Sequence, residues 1–200
     1  DLARLHRLDV ASLSAPELSK QPWNRPALLA DISYWQKFYQ EIVEEPILPL
    51  DLAFAWLREN VDQGLQSPAV VHGDHGYHNL MAENGKLTVV LDWEHVHVGS
   101  AVEDLCDVRT QVEQAGSFEN FIDLYVSYGG QRPTADALEF YDIYRLAKKA
   151  GVFAAGIRHF NTGVTDHLPM VNFSYGLHGA FLKMLTRKLD GMTAKAVSAG

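Results

Sequence analysis

The 200-residue sequence predicts an α+β protein, mostly helical, with one small β-hairpin. Two observations predict it. Apolar residues recur at helical spacing through most of the chain, on both sides of a central stretch. That stretch, residues 70–94, reads VVHGDHGYHNLMAENGKLTVVLDWE, with apolar runs on either side of Asn84-Gly85. Asn-Gly between apolar runs is the strongest short-range hairpin signal, because both residues tolerate the positive φ of a type I′ turn.

The elements follow in order. Leu2, Leu5 and Leu8 share one face of an opening helix. Residues 10–26, with Pro16, Pro22 and Pro26, form a turn-rich connector. Residues 27–45 read as an amphipathic helix striped by Leu28, Ile32, Trp35, Tyr39, Ile42 and Val43, with Trp35 read as core. Pro46 and Pro49 end it. A helix over 52–61 turns Leu52, Ala53, Trp56, Leu57 and Val61 inward, and Gly64 is its C-cap. Past the central stretch a helix runs over about 101–114, in which Cys106 reads as plain core. The next, 118–128, carries Phe121, Ile122, Leu124, Tyr125 and Tyr128 and stops at Gly129-Gly130. Thr134 caps a long helix reaching toward residue 157, where Gly151 and Gly156 suggest close helix contacts. A last helix, 171–189, is striped by Phe173, Leu177, Phe181, Leu182 and Leu185, and residues 194–200 are expected to fray.

The chemistry lies in the central stretch. A hairpin brings its outer ends together, so pairing 80–82 with 87–91 sets Asn79 beside Asp92, with Asp74 one short loop away. Two carboxylates and an amide offer oxygen donors only, which suits Mg²⁺ rather than zinc. Two carboxylates about 5 Å apart repel by about 3 kcal/mol at an effective dielectric of 20, so the site is expected to bind Mg²⁺ weakly alone and better with nucleotide phosphates. The order His72-x-Asp74-x-x-x-x-Asn79, hairpin, Asp92 is that of kinase-type phosphoryl transfer. In that chemistry the first Asp takes the proton of the attacking hydroxyl, the Asn holds a metal, and the second Asp bridges metal to nucleotide phosphates.

Four ordered pieces carry a family likeness: His72-Gly73-Asp74, Asn79, Leu91-Asp92-Trp93-Glu94, and Gly99 with Glu103-Asp104-Leu105. Together they resemble the aminoglycoside phosphotransferase-like family of small-molecule kinases. The sequence departs from the family pattern at His75, where an aromatic residue or leucine is usual. It departs again at Ser100-Ala101, where Asp-Pro is usual, and this is expected to loosen the turn into the next helix. The resemblance implies that the helices pack as the C-terminal lobe of a protein-kinase-like fold. It implies transfer of the γ-phosphoryl group of ATP (or GTP), with Mg²⁺, to the hydroxyl of a small-molecule substrate. Asp74 would be catalytic, Asn79 and Asp92 metal ligands, His72 a packed brace, Glu94 an indirect aid to the metal, and Asp104 a brace for the catalytic loop.

No glycine-rich loop after a strand, and no strand lysine to pair with a helix glutamate, is found in the sequence. The expectation is therefore that residues 1–200 form one lobe, that the nucleotide-gripping N-terminal lobe is absent, and that this piece alone is inactive. The face left by that lobe would be apolar and could support a homodimer.

Composition narrows the classes. A net charge of -8 argues against nucleic acid as a partner. No run of about 18 apolar residues exists to span a membrane, and no signal-peptide pattern opens the chain. A single cysteine excludes an intrachain disulfide and fits the cytoplasm. Two other functions remain open. His72, Asp74, His75, His78, His95 and His97 are dense enough for a metallohydrolase, and a kinase-like lobe can serve as a non-catalytic binding or scaffold module.

Overall fold

A computed structural model describes residues 1–199, with side chains to residue 192. The stretch expected to fray, 194–200, lies outside the fully described residues. In chain order the elements are α1 (Leu2–His6), α2 (Pro16–Ser19), α3 (Arg25–Ile42), α4 (Leu48–Glu59), α5 (Val61–Gly64), β1 (Pro68–Val71), β2 (Leu80–Glu83), β3 (Lys86–Val90), β4 (His97–Ser100), α6 (Ala101–Ala115), α7 (Phe118–Ser127), α8 (Ala135–Asn161) and α9 (Leu168–Ala199). Short 3₁₀ turns lie at Val10–Ser12, Tyr77–Asn79 and Trp93–His95. The fold is mostly helical α+β, as the apolar periodicity predicts. The connector over 10–26 is more ordered than its prolines suggest: Pro16, at the first position of α2, starts a helical turn.

The chain divides into two compact units, Asp1–Arg25 with Asp62–Tyr141, and Pro26–Val61 with Asp142–Gly200. The first unit holds both sheets. β2 and β3 pair antiparallel with Leu80 opposite Val90 and Glu83 opposite Lys86. Asn84 (φ 52°) and Gly85 (φ 72°) take the left-handed conformation the hairpin turn requires. The sequence reading missed the second sheet, in which β1 pairs antiparallel with β4, Val71 opposite His97 and Pro68 opposite Ser100. Each strand is only four residues long, and nothing local marks a pairing across the intervening hairpin. β1 is covered by α1 and α6. Beside it Leu2, Ala3, Leu105, Val108, Ile122 and Tyr125 form a buried cluster. Ser100 does not loosen the entry to α6: its Oγ accepts from Val102 N at 3.2 Å and caps the helix.

The second unit is built on the α3 stripe, with Leu28, Ile32 and Tyr39 buried. Pro49 does not end that helix but opens α4, where a missing N–H costs nothing. The buried face of α4 is Leu50, Ala53, Phe54 and Leu57, and Leu52, on the opposite side, is exposed. Gly151 and Gly156 mark close approaches, as expected: a Cβ on Gly151 would lie 3.2 Å from Tyr39 Cβ, and one on Gly156 would lie 3.2 Å from Ser174 Cβ. Leu185 is buried in α9 as expected, but Phe173 is exposed, and Val171 and Ser174 face inward in its place.

Candidate active site

The site lies in the first unit, on the loop between β1 and β2. Its backbone is set by Gly73, at φ +81°, where a Cβ would lie 2.6 Å from the His95 carbonyl oxygen. Both the hand of the backbone and the space exclude any larger residue. Asp104, fully buried near the start of α6, accepts from His72 N at 2.9 Å and from Gly73 N at 3.0 Å. Its Oδ2 also lies 3.0 Å from His6 Nε2. A buried carboxylate is tolerated because these donors, and its place near a helix N-terminus, replace the lost water. His6 Nδ1 lies 2.9 Å from the Tyr125 hydroxyl. Burial, and then the Asp104 charge, push the Tyr125 pKa up to about 12, so this hydroxyl keeps its proton. His6 was not singled out in the sequence; it is 98 positions from its carboxylate partner, and no spacing rule joins them.

His72 is fully buried. Its Nε2 lies 2.9 Å from the Leu91 carbonyl, which can only accept, so Nε2 carries the hydrogen. Its Nδ1 accepts from Asp74 N at 3.3 Å. One donor and one acceptor define a neutral tautomer. The ring also packs on Trp93, centroid to centroid 4.6 Å. His72 thus ties the Asp74 backbone to the end of the hairpin.

Asp74 Oδ2 is met by Asn79 Nδ2 at 3.3 Å and by His78 Nε2 at 3.2 Å. Asn79 Nδ2 also donates to the Asp74 carbonyl at 2.9 Å. With its nitrogen turned to Asp74, Asn79 presents Oδ1, which accepts no hydrogen bond among the described residues. Leu91 N donates to the Asn79 carbonyl at 2.8 Å, extending the hairpin by one bond and setting Asp92 next to this point. Asp92 is left-handed, φ 63°, a conformation that costs a non-glycine residue about 1–2 kcal/mol and often marks functional positions. Its carboxylate is exposed and makes no hydrogen bond or ion pair among the described residues.

The fold therefore joins His72, Asp74, Asn79 and Asp104 through hydrogen bonds, and brings in Asp92 through the backbone of Leu91. Glu94 stands apart: it is exposed, lies 3.7 Å from His95, and touches none of the others. Asn79 Oδ1 and the Asp92 carboxylate are hard oxygen donors. They fit Mg²⁺, which keeps several waters and completes its shell with phosphate oxygens. Among the described residues no three His, Cys, Asp or Glu side chains converge as a metal site. His97 bonds instead to the His95 carbonyl (2.9 Å) and Glu103 (3.2 Å), and sits on β4 while His95 lies in a 3₁₀ turn.

Neither the part played by Gln111 nor the burial of His75 was anticipated. Gln111 on α6 accepts from Tyr77 N at 2.8 Å and anchors the loop. His75 is buried, its Nδ1 has no partner, and burial lowers its pKa to about 4 against the opposing pull of Asp104.

Comparison with known proteins bears on the family and the fold. Residues 1–141 match the family model of the phosphotransferase enzyme family (APH). The chain belongs to that family. A curated relative, acyl-CoA dehydrogenase family member 11 of Mus musculus, is 31% identical over 106 residues, covering 52% of this chain and 13% of its own length. A solved structure from Ralstonia eutropha JMP134, provisionally described as an aminoglycoside phosphotransferase, superposes with a TM-score of 0.79 at 19% identity, covering 95% of this chain and 62% of that one. A spectinomycin phosphotransferase, solved with ADP and spectinomycin, superposes with a TM-score of 0.53 at 14% identity over 94% of this chain and 62% of that one. The chain thus spans a small part of the curated relative and under two thirds of the solved chains. Their fold is a kinase-like small-molecule phosphotransferase fold, and this chain shares it.

Proposed function

We propose that this chain carries the catalytic loop of an ATP-dependent phosphotransferase that acts on a small-molecule alcohol. The observation that carries the proposal is the meeting of Asp74 and Asn79 at 3.3 Å beside the hairpin end that holds Asp92. The ADP found in the spectinomycin phosphotransferase supports a nucleotide donor. In the reaction the substrate oxygen bonds to the γ-phosphorus. The bond from that phosphorus to its bridging oxygen breaks, ADP leaves with the electron pair, and the hydroxyl proton passes to Asp74. Transfer of this kind is loose, so the main contribution of Asp74 is alignment of the hydroxyl. Asn79 and Asp92 would hold magnesium, which when bound would neutralise phosphate charge. Glu94 would aid that ion only indirectly. Asp104 fixes the loop backbone, and His72 holds Asp74 to the hairpin as a packed brace.

The shares of the relatives covered support a further part of the reading: this lobe works within a longer protein that supplies the nucleotide grip, and in isolation it is inactive. The cytoplasm is the proposed location, a reading that the single cysteine supports. The test uses the full-length protein, γ-labelled ATP and a deproteinised small-molecule extract, with water and spectinomycin as parallel acceptors. Label should move to an alcohol, and Asp74→Asn should lower the rate by about a hundredfold or more. Full activity in Asp74→Asn, or no transfer to any acceptor, would overturn the reading. A light-scattering mass of the isolated lobe tests the homodimer, which a monomeric mass rules out.

A further inference from the structure

The loop places one more side chain on Asp74. His78 Nε2 lies 3.2 Å from Asp74 Oδ2, the same oxygen that Asn79 Nδ2 meets at 3.3 Å. The His78 side chain is 56% exposed, but its ring has a defined seat. It lies over Gly76, where a Cβ would sit 2.6 Å from His78 Cε1 and 2.8 Å from Nδ1, with Gln111 Nε2 at 3.1 Å. Gln111 in turn holds Tyr77 N, so α6 anchors the loop immediately before His78. Gly76 has φ -149° and ψ 165°, extended backbone that any residue adopts. Glycine is needed there for the space the imidazole occupies, not for the hand of the chain.

We propose that His78 is a positioning residue for the phosphoryl-transfer reaction. Its Nε2–H and the Asn79 amide grip one oxygen of Asp74 from two sides, fixing the carboxylate plane toward the substrate hydroxyl. The side chain of Asp74 is 28% exposed, so an alcohol can reach it while it is so held. His78 forms and breaks no bond; it sets the angle at which Asp74 meets the proton. The inference rests on the phosphotransferase reading and adds to it a residue that the sequence offered only as part of a histidine-rich metal site.

The experiment measures ADP release and label transfer by the full-length protein with Mg·ATP, using the small-molecule extract, spectinomycin and water as acceptors. His78→Ala should lower kcat about tenfold with KM for ATP and Tm unchanged, since a small misplacement of an aligned group is costly in rate. His78→Gln, which keeps a side-chain N–H at similar reach, should recover most of the loss. Gly76→Ala should displace the ring and reproduce the His78→Ala loss, and the double variant should be no worse than either single, as expected for two changes that break one contact. Unchanged kcat in His78→Ala, equal losses in the Ala and Gln variants, or additive losses in the double variant would overturn the proposal. Asp74→Asn run alongside separates the two failures. If it keeps full activity, or if the wild type transfers to no acceptor, the phosphotransferase reading falls and this inference with it. If Asp74→Asn is inactive and His78→Ala is not impaired, only the positioning role falls.

Discussion

Asp104 is completely buried, and its two oxygens face His72 N, Gly73 N and His6 Nε2. Replacing it with Ala leaves two backbone N–H groups and an imidazole without partners in a dry site. The expected loss of stability is about 3–5 kcal/mol, read as a lower denaturant midpoint. His75 makes a prediction of the opposite kind. Its folded pKa is about 4 against an ordinary 6.5. Between those values the unfolded chain binds the proton that the folded chain refuses, so stability falls as pH drops from 6.5 toward 4 and is fully present above that window. The loss amounts to about 3 kcal/mol at the acid end. His75→Phe, which removes the titrating group at a position where the family usually carries an aromatic residue or leucine, should flatten this dependence. Urea midpoints for both proteins through that range check it: curves that stay parallel would contradict the assignment. Asp74, Asn79 and Asp92 were legible from their order and spacing in one stretch, and Asp104 through the family resemblance. Sequence reading did not find His6, Gln111 or the burial of His75. Those depend on what a neighbouring helix brings, and residue spacing carries no record of it.

At the scale of elements, the hairpin and its two flanking turns hold the site. Gly73 combines a left-handed backbone with a carbonyl oxygen 2.6 Å from any added Cβ. Gly73→Ala must therefore move either the loop or the Trp93–His95 turn. A cost of about 3 kcal/mol and loss of activity are expected, since strain and backbone collision add. Gly85 is the contrast: it is also left-handed, at φ 72°, but a Cβ there meets nothing within 4 Å. Gly85→Ala should cost only about 1 kcal/mol and leave activity in place. A thermal melt of each variant separates the two cases, and equal losses would show that steric contact at Gly73 matters little. The hairpin was legible because Asn-Gly is a local signal. The pairing of β1 with β4 was not, because two four-residue strands far apart in the chain carry no local signal for each other, and their seat depends on elements such as α1 and α6 that pack over β1. The end of α4's buried stripe was misread for a related reason. Leu50 and Leu52 look alike in sequence, but only the true start of the helix at Leu48 shows which one faces inward.

For the molecule as a whole, Cys106 offers a reporter. It is fully buried in α6, with its Sγ 3.7 Å from the Leu138 carbonyl. The thiol should resist a colorimetric thiol reagent in the folded protein and react at the rate at which the first unit opens. Rapid labelling under native conditions would contradict that burial. Family membership and the α+β, mostly helical class were readable before any coordinates, because helical stripes, an Asn-Gly turn and an ordered set of motifs are all written within short windows of chain. The division into two compact units, the two-stranded sheet under the loop, the hydrogen bonds that close on Asp104 and the seat of His78 over Gly76 came only with the folded chain. The first three depend on contacts between residues separated by a loop or a helix, and the last on the loop being anchored by Gln111 of α6; such contacts are selected by packing and burial rather than by any local preference of the backbone.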